Sequence, residues 1–159
     1  MVDQWDKVIY FAPRREIHRK NLMHRSVHVF VFNSSGALFV QRRSPNKDTH
    51  PLKLDSSAAG HVDPGETYLQ AASRELHEEL GLSCYLKEAL RVAPSWETGY
   101  EHVVLYETST DASPVINNDE IIEGFFVRPD ELSERMKQDA QDFVPAFRSL
   151  WEFYLDKKL

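Results

Sequence analysis

The strongest constraint in this sequence is a segment in which a turn rich in glycine leads into an amphipathic helix. The turn is residues 60–65 (GHVDPG), and the helix is predicted from about Thr67 to Leu80. Apolar residues recur on one helix face at steps of three and four. They are Leu69, Ala72, Leu76 and Leu80. Gly81 stands where a C-cap glycine ends a helix, so the segment predicts a loop and a helix that packs on a core.

Alternation of apolar and other residues predicts strands on both sides of this helix. Residues 27–32 and 37–42 read as two strands, and the turn at residues 33–36 predicts that they form an antiparallel hairpin. Further extended segments are predicted at 54–59, 83–86, 92–94, 102–106 and 123–127. Helices are expected after Pro13, from Pro129 to about Met136 and from about Pro145. The order of elements predicts an α/β fold with a mixed β-sheet packed between helices.

Length and composition favour one domain. The chain has 159 residues, of which 42% are hydrophobic, and this is enough to bury a core. We therefore expect a single domain over residues 1–159, with residues 1–24 as a short N-terminal extension.

Charge argues against a protein that binds nucleic acid through bulk electrostatics. The formal charge is −6, divided into +6 over residues 1–53 and −12 over residues 54–159. The start of the chain does not have the layout of a signal peptide, and no apolar run is long enough to span a membrane. Cys84, the only cysteine, excludes an internal disulfide. These features predict a cytoplasmic protein without a membrane or nucleic-acid partner.

Three glutamates on the predicted helix are candidates for a metal site. Glu75, Glu78 and Glu79 fall within about one helical turn, where like charges destabilise a helix unless a cation neutralises them. Arg74 is adjacent but cannot satisfy all three. A set of oxygen ligands suits Mg²⁺ or Mn²⁺, and a backbone carbonyl near Ala59 or Gly60 could join it. Taken alone, the cluster is also typical of a solvated helix face.

The spacing across the whole segment resembles the Nudix box. Nine positions match: Gly60, Glu66, Arg74, Glu75, Leu76, Glu78, Glu79, Gly81 and Leu82. The resemblance implies the Nudix fold, an α/β/α sandwich in which the box forms a loop, a helix and a loop. It also implies that Glu75, Glu78 and Glu79 bind the metal, that Glu66 and Arg74 support them, and that Gly60 lets the backbone come close to the metal.

The same resemblance implies an activity and a general base. Many Nudix enzymes add a carboxylate from a loop well after the box, and Glu120 is the predicted residue, with Asp119 and Glu123 close by. Glu78, Glu79 and Glu120 are thus the predicted catalytic carboxylates. The implied reaction is hydrolysis, dependent on Mg²⁺ or Mn²⁺, of a nucleoside diphosphate linked to another moiety. A homodimer is also expected, because Nudix domains commonly dimerise.

Basic and aromatic residues outside the box are candidates for substrate contacts. Arg42, Arg43 and Lys47, with Lys53, could bind substrate phosphates, although ordinary surface charge is an equal explanation. Trp96 and Tyr100 could stack on a base, and packing at the edge of the sheet is the favoured explanation for both.

A second resemblance supplies a rival function. Residues 24–33 and 41–47 look like the Nudix branch related to isopentenyl-diphosphate isomerase. His24 and His61 match metal-binding histidines of that enzyme. His18 lies one residue away from the position of its third histidine, and of its two paired glutamates only one has a counterpart here, Glu101. Ala59 stands where the isomerase has a cysteine, and the box is intact, so hydrolysis is favoured. A non-catalytic binding module is the third alternative, and the intact box also argues against it.

Overall fold

Residues 1–158 are described by a computed structural model of the chain. Within them the strands are β1 (His24–Phe32), β2 (Leu38–Arg43), β3 (Leu54–Asp55), β4 (Ala58–His61), β5 (Lys87–Val92), β6 (Glu101–Ser109) and β7 (Ile121–Val127). The α-helices are α1 (Arg14–Arg19), α2 (Tyr68–Leu80), α3 (Pro129–Gln138) and α4 (Pro145–Lys158), and a 3₁₀ turn spans Ala140–Asp142. The predicted helix starts after Pro13, at Pro129 and near Pro145 are confirmed.

All seven described strands form one mixed sheet around β1. Strand β1 runs parallel to β6 and antiparallel to β2 and β4, while β5 pairs with β6 and β7 pairs with β2. The predicted hairpin is confirmed, since Phe32 of β1 lies opposite Leu38 of β2. The mixed sheet of an α/β protein is therefore confirmed.

Each face of the sheet carries its own hydrophobic core, because successive side chains of a strand point to opposite faces. On β1, Val27, Val29 and Val31 pack in the core that includes Leu76 of α2. Phe30, between them, packs in the other core, with Phe147 and Trp151 of α4 among its members. The sheet is thus covered by helices on both faces, and α2 packs on the face that holds the box glutamates.

Helix α2 begins and ends as its sequence predicts. The side chain of Thr67 accepts a hydrogen bond from the backbone N–H of Gln70, and Gln70 returns one, which makes a capping box. Gly81 ends the helix in the left-handed region, with φ +65°. For Leu69 the predicted apolar face is wrong: this residue is 48% exposed, because the first buried residues of α2 come two and three positions later, at Ala71 and Ala72.

Two predicted strands after α2 are wrong. Residues 83–86 lie outside any strand, and the strand predicted at 92–94 ends at Val92. The actual strand is β5, between them. Its pairing with β6 is irregular between Glu88 and Leu90, so the alternation that marks a strand is interrupted there. Among the described helices, none is both long enough and apolar enough to cross a membrane.

Candidate functional site

The three box glutamates of α2 lie in different environments. Glu79 is 3% exposed, and the side chain of Glu75 is 14% exposed, whereas that of Glu78 is 54% exposed. Residues 75 and 79 are separated by one turn, so both carboxylates reach the same place, next to β4. The helix therefore holds two carboxylates out of solvent and a third at the rim.

Gly60 makes room for one of these carboxylates. A Cβ atom added to Gly60 would lie 2.0 Å from Oε1 of Glu75, a distance that real Cβ atoms essentially never show. Any other residue at position 60 would displace either β4 or the glutamate. Glycine at this position therefore allows the carboxylate of Glu75 to approach the backbone of β4 closely.

Glu79 is held by donors from two strands. Its Oε2 accepts hydrogen bonds from Nε2 of Gln41, at 2.8 Å, and from the backbone N–H of Ala59, at 3.1 Å. Its Oε1 lies 3.7 Å from Nζ of Lys47. Burial raises the pKa of Glu79 to about 7, although Lys47 and the Gln41 hydrogen bond both oppose the rise. The buried carboxylate is thus only partly compensated by protein groups.

Arg74 and Glu66 join the loop to the helix. Arg74 donates to both carboxylate oxygens of Glu66, at 2.8 and 2.9 Å, and to the carbonyl oxygen of His61, at 3.0 Å. The same guanidinium donates to Glu75 at 2.6 Å and to Glu78 at 3.3 Å. Burial nevertheless raises the pKa of Glu75, and Arg74 only reduces that rise. One arginine is therefore shared among three carboxylates.

These residues fit a hard divalent cation. The available donors are carboxylate oxygens. Glu79 is buried and Glu75 is half-buried, burial raises the pKa of both, and a cation is favourable in such surroundings. The close approach at Gly60 also places the backbone of β4 against the carboxylate of Glu75. The donor set has neither thiolate nor imidazole, and this suits Mg²⁺ or Mn²⁺ better than zinc.

The predicted acidic residue from the later loop lies near this cluster. Nζ of Lys47 contacts the carboxylate of Glu120 and also faces Glu79. Burial lowers the pKa of Lys47 despite the charge of Glu79. Glu123, by contrast, pairs with Arg42 at 2.7 Å, and Asp119 is exposed. Of the three acidic candidates, the structure brings Glu120 to the box.

The predicted phosphate-binding residues separate into two groups. Arg43 and Lys47 line a cleft of about 140 Å³ that also reaches Ala59 and Gly60. Arg43 there donates to Asp55 at 3.0 Å. Arg42 points to the opposite face of β2, where it binds Glu123 and Asp142, and Lys53 donates to the carbonyl oxygen of Gln141. Adjacent residues of a strand face opposite ways, so the basic cluster of the sequence is divided.

The packing expected of Trp96 is wrong, since this side chain is 73% exposed. Trp96 lies in the loop between β5 and β6. Tyr100 is 39% exposed, and its φ of +64° lies in the left-handed region.

The predicted histidines form a second cluster, which shares β4 with the first. Nε2 of His24 and Nε2 of His61 lie 3.1 and 3.3 Å from Oε1 of Glu101, and Nε2 of His18 lies 3.3 Å from that of His61. Four ligand atoms lie within 4.8 Å of one another. Burial opposes ionisation of Glu101, but hydrogen bonds from His24 and His61 outweigh it and hold the pKa of this carboxyl well below its usual range.

Gln41 is the contact that sequence reasoning missed. The resemblance to the isomerase branch includes this residue without giving it a role, and the signal for it in the sequence is a polar residue within the apolar strand predicted at 37–42. Its side chain is buried and reaches Glu79 from a position 38 residues earlier in the chain.

Comparison with known proteins agrees with this geometry. The NUDIX domain model matches residues 22–147. A Nudix hydrolase of Nostoc sp. (strain PCC 7120) is 40% identical over 140 residues, which cover 84% of this chain and 82% of that protein. An isopentenyl-diphosphate Δ-isomerase of Pectobacterium atrosepticum is 33% identical over 153 residues, covering 93% and 86%. The crystal structure of DR0079 from Deinococcus radiodurans is similar, with a TM-score of 0.81 and 31% identity, covering 98% and 95%. The chain therefore belongs to the Nudix family and is a Nudix hydrolase.

Proposed function

We propose that this hydrolase is a divalent-metal-dependent pyrophosphohydrolase that cleaves the diphosphate linkage of a nucleoside diphosphate joined to another moiety. The observation that supports it most is the pair formed by the half-buried carboxylate of Glu75 and the buried carboxylate of Glu79, whose pKa values are raised by burial beside the close approach at Gly60. Such a pair is costly for the fold without a cation and useful with one.

Each site residue has a role in this proposal. Glu75, Glu78 and Glu79 would hold Mg²⁺ or Mn²⁺, with a backbone carbonyl of Ala59 or Gly60 as a further ligand. The bound cation would screen the charge that grows on the phosphate oxygens and lower the pKa of the attacking water. A carboxylate among Glu78, Glu79 and Glu120 would accept the proton of that water.

Two basic residues are placed to contact the substrate. Arg43 and Lys47 line the cleft next to β4, and Lys47 lies between Glu79 and Glu120. They would bind non-bridging oxygens of the diphosphate. Arg42 is left out of this set, because Glu123 and Asp142 occupy its guanidinium on the other face of β2.

The proposal also covers how the protein is organised. Residues 1–159 would form a single Nudix domain, with residues 1–24 as its extension, acting as a homodimer in the cytoplasm. The single cysteine supports a reducing compartment. Measuring the mass of the protein in solution tests the homodimer.

The test of the activity is substitution of the buried carboxylate. Glu79→Gln is expected to lower the rate of product release from nucleoside diphosphate derivatives about 100-fold or more. Glu88→Gln is the matched control, since Glu88 pairs with Arg91 on the surface at 2.8 Å and is expected to keep the wild-type rate. Both are assayed with Mg²⁺ and with Mn²⁺ across nucleoside triphosphates, nucleotide sugars and dinucleotides. A wild-type protein that turns over none of these compounds refutes the proposal.

The histidine cluster supports a second candidate function. The three imidazoles and the carboxylate of Glu101 lie close enough together to hold a metal ion, and one relative is an isopentenyl-diphosphate Δ-isomerase. Ala59, where the isomerase has its cysteine, argues against isomerisation, because the thiol of that residue is missing. Incubation with isopentenyl diphosphate tests this candidate: formation of the allylic isomer supports the isomerase, and its absence, together with turnover of a nucleoside diphosphate derivative, supports the hydrolase.

A further inference from the structure

We propose that Gln41 is a positioning residue that orients Glu79 so that a single oxygen of this glutamate, Oε1, is offered to the metal. The inference rests on the metal-binding part of the proposed function. It assigns a role to a side chain of β2 that lies outside the box and contacts none of its other carboxylates.

The orientation of the Gln41 amide is fixed by its partners. Its side chain is buried, and Nε2 lies 2.8 Å from Oε2 of Glu79 and 3.1 Å from the carbonyl oxygen of Ser57. Both neighbours are acceptors, so only the NH₂ group can face them. The amide oxygen of Gln41 must then point away from Glu79.

The two oxygens of Glu79 consequently have different surroundings. Oε2 accepts two hydrogen bonds, from Gln41 and from the backbone of Ala59. Oε1 accepts neither of them and faces Lys47 at 3.7 Å, beyond hydrogen-bond distance. With Oε2 engaged, Glu79 is preorganised as a ligand through Oε1. Hydrogen bonds to the second oxygen of a ligating carboxylate are how a protein fixes such a ligand.

The other end of the Gln41 amide indicates that fold stability alone does not explain the residue. Its Oε1 is buried and has no hydrogen-bond partner. A buried acceptor without a partner carries a desolvation cost that no hydrogen bond offsets. The role of the side chain therefore lies in its NH₂ group, which donates to Glu79 and Ser57.

The experiment compares two hydrogen bonds of the same kind on opposite faces of the sheet. Gln41→Met removes a donor to a glutamate in the box, and Tyr154→Phe removes the donor to Glu107 on the α4 side. Mn²⁺ binding is titrated by electron paramagnetic resonance without substrate, and the signal that Glu79→Gln abolishes is taken as binding at the box. Thermal unfolding is recorded for every variant without metal.

We expect Gln41→Met to raise the Mn²⁺ dissociation constant at the box at least tenfold, while Tyr154→Phe stays within twofold of wild type. The Tm of Gln41→Met should fall no further than that of Tyr154→Phe. Gln41→Asn keeps an amide but is one methylene too short to reach Glu79, so it should show the same loss of affinity.

Several outcomes overturn the inference. One is a Mn²⁺ dissociation constant within twofold of wild type in either folded Gln41 variant, and another is an equal loss of Mn²⁺ affinity in Tyr154→Phe. The inference also fails if neither Gln41 variant folds, or if Glu79→Gln does not abolish any of the Mn²⁺ binding of the wild type. Failure of the activity is a separate result: a wild type that binds Mn²⁺ through Glu79, loses it in Gln41→Met and hydrolyses no diphosphate refutes the proposed function and leaves this inference standing.

Discussion

Substituting Gly60 by alanine tests the central geometric feature of the site. The added Cβ would lie 2.0 Å from Oε1 of Glu75 and 2.1 Å from its Cδ, so the two groups cannot both keep their positions. Ordinary van der Waals contact begins at 3.4 Å. The carboxylate or the strand must therefore shift by about 1.4 Å, a displacement of the size that can cost about 100-fold in rate even when it arises far from the reacting atoms.

The stability cost of the same change is set by overpacking. Inserting one methyl group into a filled site destabilises a protein by about 1–3 kcal/mol. For Gly60→Ala we expect the lower part of this range, about 1 kcal/mol, because the clashing atoms are the end of a side chain that can rotate away. The expected result is a modest loss in the free energy of unfolding, measured by urea denaturation, and a large loss in hydrolysis rate.

Gly124→Ala is the matched control. A Cβ there would lie 2.2 Å from Cζ of Phe39, so it introduces a comparable clash without touching a carboxylate. We expect it to be at least as destabilising as Gly60→Ala, since an aromatic ring in a core cannot rotate away as easily, and to keep the hydrolysis rate per folded molecule within about threefold. The reasoning is refuted if Gly60→Ala keeps the wild-type rate, or if both variants lose rate in proportion to their loss of stability.

Three further predictions concern charge and metal. Tyr154→Phe should weaken the dependence of the free energy of unfolding on pH below neutrality. Burial raises the pKa of Glu107, but hydrogen bonds from Tyr154 and Lys158 outweigh burial and lower that pKa overall. A carboxyl whose pKa is lowered by folding stabilises the protein above its unfolded-state pKa, and this stability is lost as the pH falls. The variant should therefore lose less of its free energy of unfolding than the wild type between neutral and acid pH, as measured by urea denaturation. An unchanged dependence of that free energy on pH contradicts the prediction. Arg74→Lys should cost about 1.5–3 kcal/mol, since it breaks a bidentate pair with Glu66, whereas Arg91→Lys, in an exposed bidentate pair, should cost less than about 1 kcal/mol. Mn²⁺ at about 100 times its dissociation constant should raise the free energy of unfolding of the wild type by about 2.7 kcal/mol, and chelation with EDTA should reverse this gain. An equal gain in Glu79→Gln would contradict the prediction.

The parts of the fold that the sequence predicts correctly are those encoded by local signals. Helix α2 is an example, because Thr67, Gly81 and the spacing of its apolar residues all act within one segment. Strand β5 is the opposite case. Its irregular pairing near Glu88 depends on β6, more than ten residues away, and removes the alternation on which a strand prediction relies.

The same distinction applies to the candidate site. The glutamates of the box share a helix, so their proximity to one another can be read from spacing alone. Their burial cannot, because it comes from β2 and β4: Gln41 lies 38 residues before Glu79, and Ala59 lies 20 before it. Sequence spacing therefore indicates which residues can bind a cation, whereas only the packing shows which of them are buried.

The basic first third and the acidic remainder of the chain meet at the candidate site. The excess of positive charge lies in residues 1–53, and the excess of negative charge lies after them. The sheet brings the two together, since Lys47 from the basic part contacts Glu120 and faces Glu79 from the acidic part. Because burial lowers the pKa of Lys47 and raises that of Glu79, each group lies in a surrounding that disfavours its own charge. In the proposed function, a divalent cation would supply the positive charge that one half-buried lysine does not.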